Sequence, residues 1–200
     1  MLRSGHTENL IMKHQFQTPL SVCNYMVSLL QKDEYNTILE PTPGEGNLAN
    51  AANSKGIVIC PNDFFELEPQ RFEAVVMNPP FTPMELGYRI LFACMEMSDE
   101  VVALMPWLTL INSQKRTDTL VSFGLKSVTH LPRTIFKGAR VQCCIIHLVK
   151  GYTQKTLFEN YSSLAAFEHT RYSIQCPPRR VGAARNSFHA RSSIKGGGIE

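Results

Sequence analysis

Residues 75–81 read VVMNPPF: three apolar residues, an asparagine, two consecutive prolines and an aromatic ring. Each proline lacks a backbone N–H and holds φ near −65°, so neither a helix nor a central strand continues through Pro79 and Pro80. The run marks a buried strand that stops in one rigid shape. Pro79 offers a carbonyl without a neighbouring donor of its own, and Asn78 adds a side-chain carbonyl oxygen at the same point. Two acceptors held at a strand end suit an exocyclic amino group, and Phe81 supplies a face for a planar base. The alternative is a rigid turn with a buried ring.

Working outward, NTILE (36–40), GIVIC (56–60), EAVVM (73–77) and EVVALM (100–105) have the continuous apolar character of strands covered on both faces. Between them lie helical patterns. Thr18-Pro19 before LSVCNYMVSLLQ reads as a capped helix start, with Val22, Met26, Leu29 and Leu30 on one stripe. PMELGYRILFACMEM (83–97) and NSQKRTDTLVSF (112–123) continue the alternation, and KSVTHL with VQCCIIHLVK reads as a closing antiparallel pair. Alternating β and α implies an α/β sheet of mostly parallel strands, which binds ligands at the strands' carboxyl ends.

The 200 residues suit one domain with an appendage, and 44% apolar content is enough for a core. The longest largely apolar run, residues 101–111, contains Pro106 and falls short of a membrane span. The polar start MLRSGHTENLIMKHQ does not resemble a signal peptide, so a cytoplasmic location without membrane contact is expected. Six cysteines without a CxxC pair are read as reduced, buried thiols, and no metal is expected. Adjacent Cys143 and Cys144 would point to opposite faces of one strand.

Charge is uneven. Residues 1–154 hold 13 Lys+Arg against 14 Asp+Glu, whereas residues 155–200 hold 7 against 3, within a net charge of +3. The expected organisation is a domain over 1–154 and an extension over 155–200 ending in the flexible basic stretch PPRRVGAARNSFHARSSIKGGGIE.

Two further strand ends carry chemistry. LEPTPGEG puts Glu40 after the first strand and follows it with Gly44 and Gly46, which allow a tight turn and close backbone approach to a ligand; plain turns use glycine too. CPNDFFEL puts Asp63 beside Phe64, an acceptor for an adenine amino group next to a ring that packs on the base. The competing reading is a helix N-cap with a core phenylalanine.

From HQFQTP near residue 14 to HLVK at 150, the order of motifs resembles the S-adenosylmethionine-dependent adenine-N6 DNA methyltransferases. FQTP resembles their N-terminal cofactor motif, ILEPTPGEG the glycine-rich loop, NDFFEL the adenine-side Asp-Phe and VVMNPPF the catalytic tetrapeptide Asn78, Pro79, Pro80 and Phe81. The resemblance implies a Rossmann-like class I methyltransferase sheet. It implies that Thr18 contacts the methionine end of S-adenosylmethionine, Glu40 its ammonium group, and Pro41, Gly44 and Gly46 its backbone cradle. Asp63, Phe64, Asn78 and Pro80 would border the rest of the cofactor. LPRTIFKGARVQCCIIHLVK resembles the segment whose ring closes over a flipped base, which matches Phe136 to that role against Phe81.

Two departures modify this picture. About thirty residues separate Gly46 from Asn78, room for one strand where the family has two, so one β-α unit is expected to be missing near the sheet edge. The fifty residues after 150 are too few for a large target-recognition domain, so specificity is expected to come from loops or from a partner, a specificity subunit or a homo-oligomer, or to be low. The basic tail would hold DNA phosphates or serve only as a solubilising end. The implied function is methylation of adenine N6 in DNA, in the manner of restriction-modification systems. RNA adenine, protein glutamine, or a catalytically silent subunit of the same fold are the alternatives.

Overall fold

A computed structural model describes residues 17–136 and 141–161. In chain order the elements are α1 (Leu20–Ser28), β1 (Tyr35–Leu39), α2 (Asn47–Ala52), β2 (Gly56–Ile59), a 3-10 turn (Phe64–Glu66), β3 (Ala74–Met77), α3 (Met84–Met97) and β4 (Glu100–Pro106). They continue with α4 (Leu108–Ile111), α5 (Gln114–Phe123), β5 (Leu125–His130), a 3-10 turn (Arg133–Ile135), β6 (Cys143–Val149) and β7 (Leu157–Asn160). The strands form one sheet in the order β2-β1-β3-β4-β6-β5-β7. All pairings are parallel except those of β6, which runs against both β4 and β5.

Alternation along the strands divides the core into two layers. On one face Leu39, Val75, Met77, Val101 and Ala103 meet Tyr88, Leu91 and Met95 of α3 and Leu120 of α5. On the other, Ile38, Ala74, Val76 and Val102 meet Val22 and Met26 of α1 and Leu48 and Ala52 of α2. Helices therefore cover both faces, which is why strands such as β3 and β4 are buried at every position. Cys143 and Cys144 divide between the two layers, as their adjacency in a strand requires.

Among the described residues only β2 lies beyond β1, so that side of the sheet is one β-α unit shorter than the family resemblance implies. The opposite edge holds a strand that the sequence pattern does not announce. LFEN in β7 has no buried residue, and its place comes from the backbone ladder to β5 and from Tyr25, whose hydroxyl donates to Glu159 Oε2 at 2.9 Å. The first residues of the extension after 154 thus join the sheet. The basic stretch 177–200 lies outside the described residues. No helix among the described residues is long and apolar enough to cross a membrane.

The start of α1 differs from expectation. Pro19 occupies the N-cap position and no side chain caps the helix. The Thr18 hydroxyl is engaged elsewhere.

Candidate active site at the carboxyl ends of the strands

Parallel β1 and β3 are neighbours, so Glu40 and Asn78, each one residue past its strand, emerge side by side. Asn78 Nδ2 donates to Thr18 Oγ1 at 2.9 Å, which fixes the orientation of the amide across sixty residues of sequence. The Thr42 hydroxyl lies 3.1 Å from the Asn78 carbonyl oxygen and 3.4 Å from Glu40 Oε1. Asn47 Nδ2 donates to the Thr18 carbonyl at 3.2 Å, and the Glu45 N–H to Gln17 Oε1 at 3.3 Å. The segment before α1, the glycine-rich turn and the NPPF corner are therefore cross-linked by polar groups. A rigid cluster of this kind can orient a ligand without first ordering itself.

Within the turn, Gly44 and Gly46 have φ of +52° and +88°, conformations that side-chain-bearing residues rarely adopt. Gly46 leads directly into α2. Glu40 is 1% exposed, and among the described residues its side-chain donors all belong to Thr42: the N–H at 3.0 Å and the more distant hydroxyl. Burial pushes its carboxyl up to about 8, against the opposing pull of Thr42. A buried carboxyl group so weakly compensated can take up a cation as a partner.

The NPPF corner is clamped from below. Pro79 and Pro80 are buried, and a Cβ on Gly87 of α3 would stand 2.7 Å from the Pro80 carbonyl oxygen. Only glycine lets the helix approach that closely. Phe81 is half-buried against the layer that also contains Phe136, itself 7% exposed. Both candidate stacking rings thus belong to one cluster.

Asp63 and Phe64 show the cap-and-core arrangement. Asp63 Oδ1 accepts from the Phe65 N–H at 2.8 Å and caps the 3-10 turn, while Phe64 packs among Leu39, Val75 and Tyr88. Phe65, not Phe64, is the exposed ring. Because β2 pairs directly with β1, Asp63 still follows the strand next to that of Glu40. Pro41 is buried beside Glu40 in the chain.

Sequence reasoning passed over Gln17, Thr42, Asn47 and Gly87. The first three are short-range polar residues inside motifs already singled out, and their partners became visible only with the fold. Gly87 did carry a signal, since glycine in a helix interior costs about 1 kcal/mol and calls for a packing reason.

No protein-family model matches the chain, and no curated protein matches it. Solved structures do match. The methyltransferase subunit of a type I restriction-modification system from Streptococcus thermophilus superimposes with a TM-score of 0.60 at 17% identity, over 82% of this chain and 54% of that one. A Listeria monocytogenes protein assigned to the class I S-adenosylmethionine-dependent methyltransferases gives 0.58 at 16%, over 82% and 76%. The 23S rRNA methyltransferase ErmE gives 0.51 at 16%, over 68% and 70%. The chain spans about half the length of the restriction-modification subunit that it matches. At these identities the likeness defines the fold, the Rossmann-like sheet of the class I methyltransferases.

Proposed function

We propose that the protein transfers a methyl group from S-adenosylmethionine to the N6 amino group of adenine in DNA. The observation that carries this reading is the junction of Thr18, Glu40, Thr42 and Asn78, which joins an ammonium receptacle to an oriented amide. The cofactor, when bound, supplies an electrophilic methyl group on sulfur. Glu40 pairs with its ammonium group, Thr18, Pro41 and the backbone of Gly44 and Gly46 line its methionine end, and Pro80 borders it. Asp63 is assigned to its adenine amino group, with Phe64 supporting that wall from the core.

At the corner, the Asn78 side-chain oxygen and the Pro79 carbonyl accept from the two N6 hydrogens of the substrate. This draws the nitrogen towards tetrahedral geometry and directs its lone pair at the methyl carbon. With the cofactor bound, N–C bond formation would leave the C–S electron pair on sulfur, and the displaced N6 proton would pass to water. No strong base is required, so orientation and electrostatic positioning carry the rate. An adenine in a duplex must leave the stack, at a cost of a few kcal/mol, and Phe81 with Phe136 would receive it.

Two aromatic rings in one cluster favour a base over a glutamine amide, while RNA offers the same chemistry as DNA. The intact link between Thr18 and Asn78 opposes a silent subunit. We assign sequence reading to a specificity subunit or a second copy, and phosphate contact to the basic tail.

Incubation with radiolabelled S-adenosylmethionine, followed by separation of DNA, RNA and protein acceptors, tests this reading. Label is expected in adenine N6 of DNA. Asn78→Ala should abolish transfer, by about a thousandfold or more on the scale of a lost positioning group, and keep cofactor binding; equal loss of both would make Asn78 structural.

A further inference from the structure

One member of the junction, Thr42, touches neither the cofactor nor the amine in the chemistry above. It lies between Pro41 and Pro43, two residues past Glu40. Pro41 holds its own φ at about −65°, and Pro43 confines the residue before it to extended backbone. The Thr42 side chain is therefore presented by a main chain with little freedom. On one side of it the Glu40 N–H donates to the Ile59 carbonyl of β2 at 3.0 Å, and on the other the Gly46 N–H donates to the Pro43 carbonyl at 2.7 Å. Like NPPF, EPTP fixes a polar residue at a strand exit with prolines.

From this position Thr42 reaches both halves of the site. Its N–H donates to Glu40 Oε1 at 3.0 Å, and its hydroxyl lies 3.1 Å from the Asn78 carbonyl oxygen and 3.4 Å from the same Glu40 oxygen. One hydroxyl proton serves one acceptor at a time, and the nearer is Asn78. That carbonyl belongs to the peptide unit joining Asn78 to Pro79. The ring of Pro79 fixes its φ and Pro80 restricts its ψ, so the tilt of this peptide unit carries through to the Pro79 carbonyl. The Asn78 side chain is held separately, by Thr18. Two threonines from two segments thus fix the amide and the backbone of one residue.

The competing acceptor is Glu40. Ionised and without a cation, it would draw the hydroxyl away from Asn78, since a carboxylate is the stronger acceptor. The titratable groups on which its charge acts are thiols: Cys23 of α1, Cys60 past β2 and Cys94 of α3. Burial, and secondarily Glu40, pushes all three up, so they stay neutral. An ammonium group brought to Glu40 meets its demand from outside the chain and leaves the hydroxyl with Asn78.

We propose that Thr42 is a positioning residue for the transfer step. Its hydroxyl holds the Asn78–Pro79 peptide unit so that the Asn78 side-chain oxygen and the Pro79 carbonyl face the substrate amine together, and cofactor pairing with Glu40 commits the hydroxyl to that task. The inference rests on the methyl transfer proposed above.

Thr42→Val keeps the shape and the N–H and removes the hydroxyl, whereas Thr42→Ser keeps the hydroxyl. The full-length protein is assayed with saturating radiolabelled S-adenosylmethionine and a DNA acceptor. Turnover of Thr42→Val should fall at least about fivefold, the scale of one lost hydrogen bond, while its calorimetric cofactor affinity stays within about twofold. Thr42→Ser should restore turnover to within about twofold of the parent. A second readout needs no turnover. In heteronuclear NMR spectra with S-adenosylhomocysteine bound, the Asn78 side-chain amide, identified by its absence in Asn78→Asp, should move in Thr42→Val and keep the parent position in Thr42→Ser. Parent turnover in Thr42→Val, equal losses in the two variants, an unmoved amide, or a loss of cofactor affinity that matches the loss of turnover overturns the role of Thr42. Label transfer by the parent together with any of these results refutes that role alone. A parent that transfers no label, with the amide displaced only in Thr42→Val, refutes the proposed function alone.

Discussion

Two buried carboxylates stand at opposite ends of the sheet, and their surroundings are opposite too. Glu100 opens β4 and is 5% exposed; Glu40 follows β1 and is 1% exposed. Glu100 accepts from the Tyr35 hydroxyl at 2.6 Å and the Gln31 N–H at 3.0 Å, and its Oε1 lies 2.8 Å from His147 Nε2. Burial pushes its carboxyl up, but His147, Tyr35 and Gln31 outweigh that and hold it below the ordinary range. Among the described residues Glu40 has only Thr42, and burial prevails. Glu100 is satisfied by its own chain, as a structural carboxylate should be. Glu40 is left incomplete at the end of the sheet where open α/β folds bind ligands, which fits its proposed pairing with an ammonium group.

The largest effect should come from breaking the satisfied one. Glu100→Ala leaves the Tyr35, Gln31 and His147 donors without their acceptor and is expected to cost about 3–5 kcal/mol in urea unfolding. The ordinary carboxyl range is about 4.5 for both residues. Because the folded Glu100 lies below it, its contribution is present above about pH 4.5 and is lost as pH falls through the lower folded value. The parent should therefore be steeper on its acid limb than the variant.

Glu40→Gln should do the reverse. With a folded value near 8, Glu40 binds its proton while the unfolded chain has released it, so it removes stability as pH climbs from about 4.5 towards 8. The slope is at most about 1.4 kcal/mol per pH unit. Glu40→Gln should flatten that decline and stabilise the unliganded protein at pH 8, while binding S-adenosylmethionine at least about tenfold more weakly. A variant destabilised at pH 8 would put Glu40 in the class of Glu100.

A smaller effect is expected between the two ends. Gly87→Ala forces α3 away from the Pro80 carbonyl oxygen, at about 1–3 kcal/mol. Methyl transfer should fall further than cofactor affinity, since the corner moves and Glu40 does not. Equal losses in both would mean that the displacement spreads to β1.

Much of this arrangement is legible in the chain. Continuous apolar runs identify β1, β3 and β4, and the two prolines after Asn78 mark where β3 must stop. β7 escapes notice because it is short and exposed, and its stability resides in a ladder and one tyrosine bond that no local pattern encodes. Thr18 was legible as a helix cap and is instead a partner of Asn78, because a residue sixty positions away supplies a donor that competes with the cap. Asp63 follows the local rule, capping its turn through the Phe65 N–H. The contrast between Glu40 and Glu100 is the least visible in sequence, since it depends on which donors the fold delivers.

Titration calorimetry of S-adenosylmethionine binding at pH 7, in two buffers of different ionisation heat, tests the central claim most directly. Protonated Glu40 must ionise to receive an ammonium group, so binding should release close to one proton, and the release should vanish in Glu40→Gln. Absence of binding, or binding by both proteins with the same proton release, would contradict it.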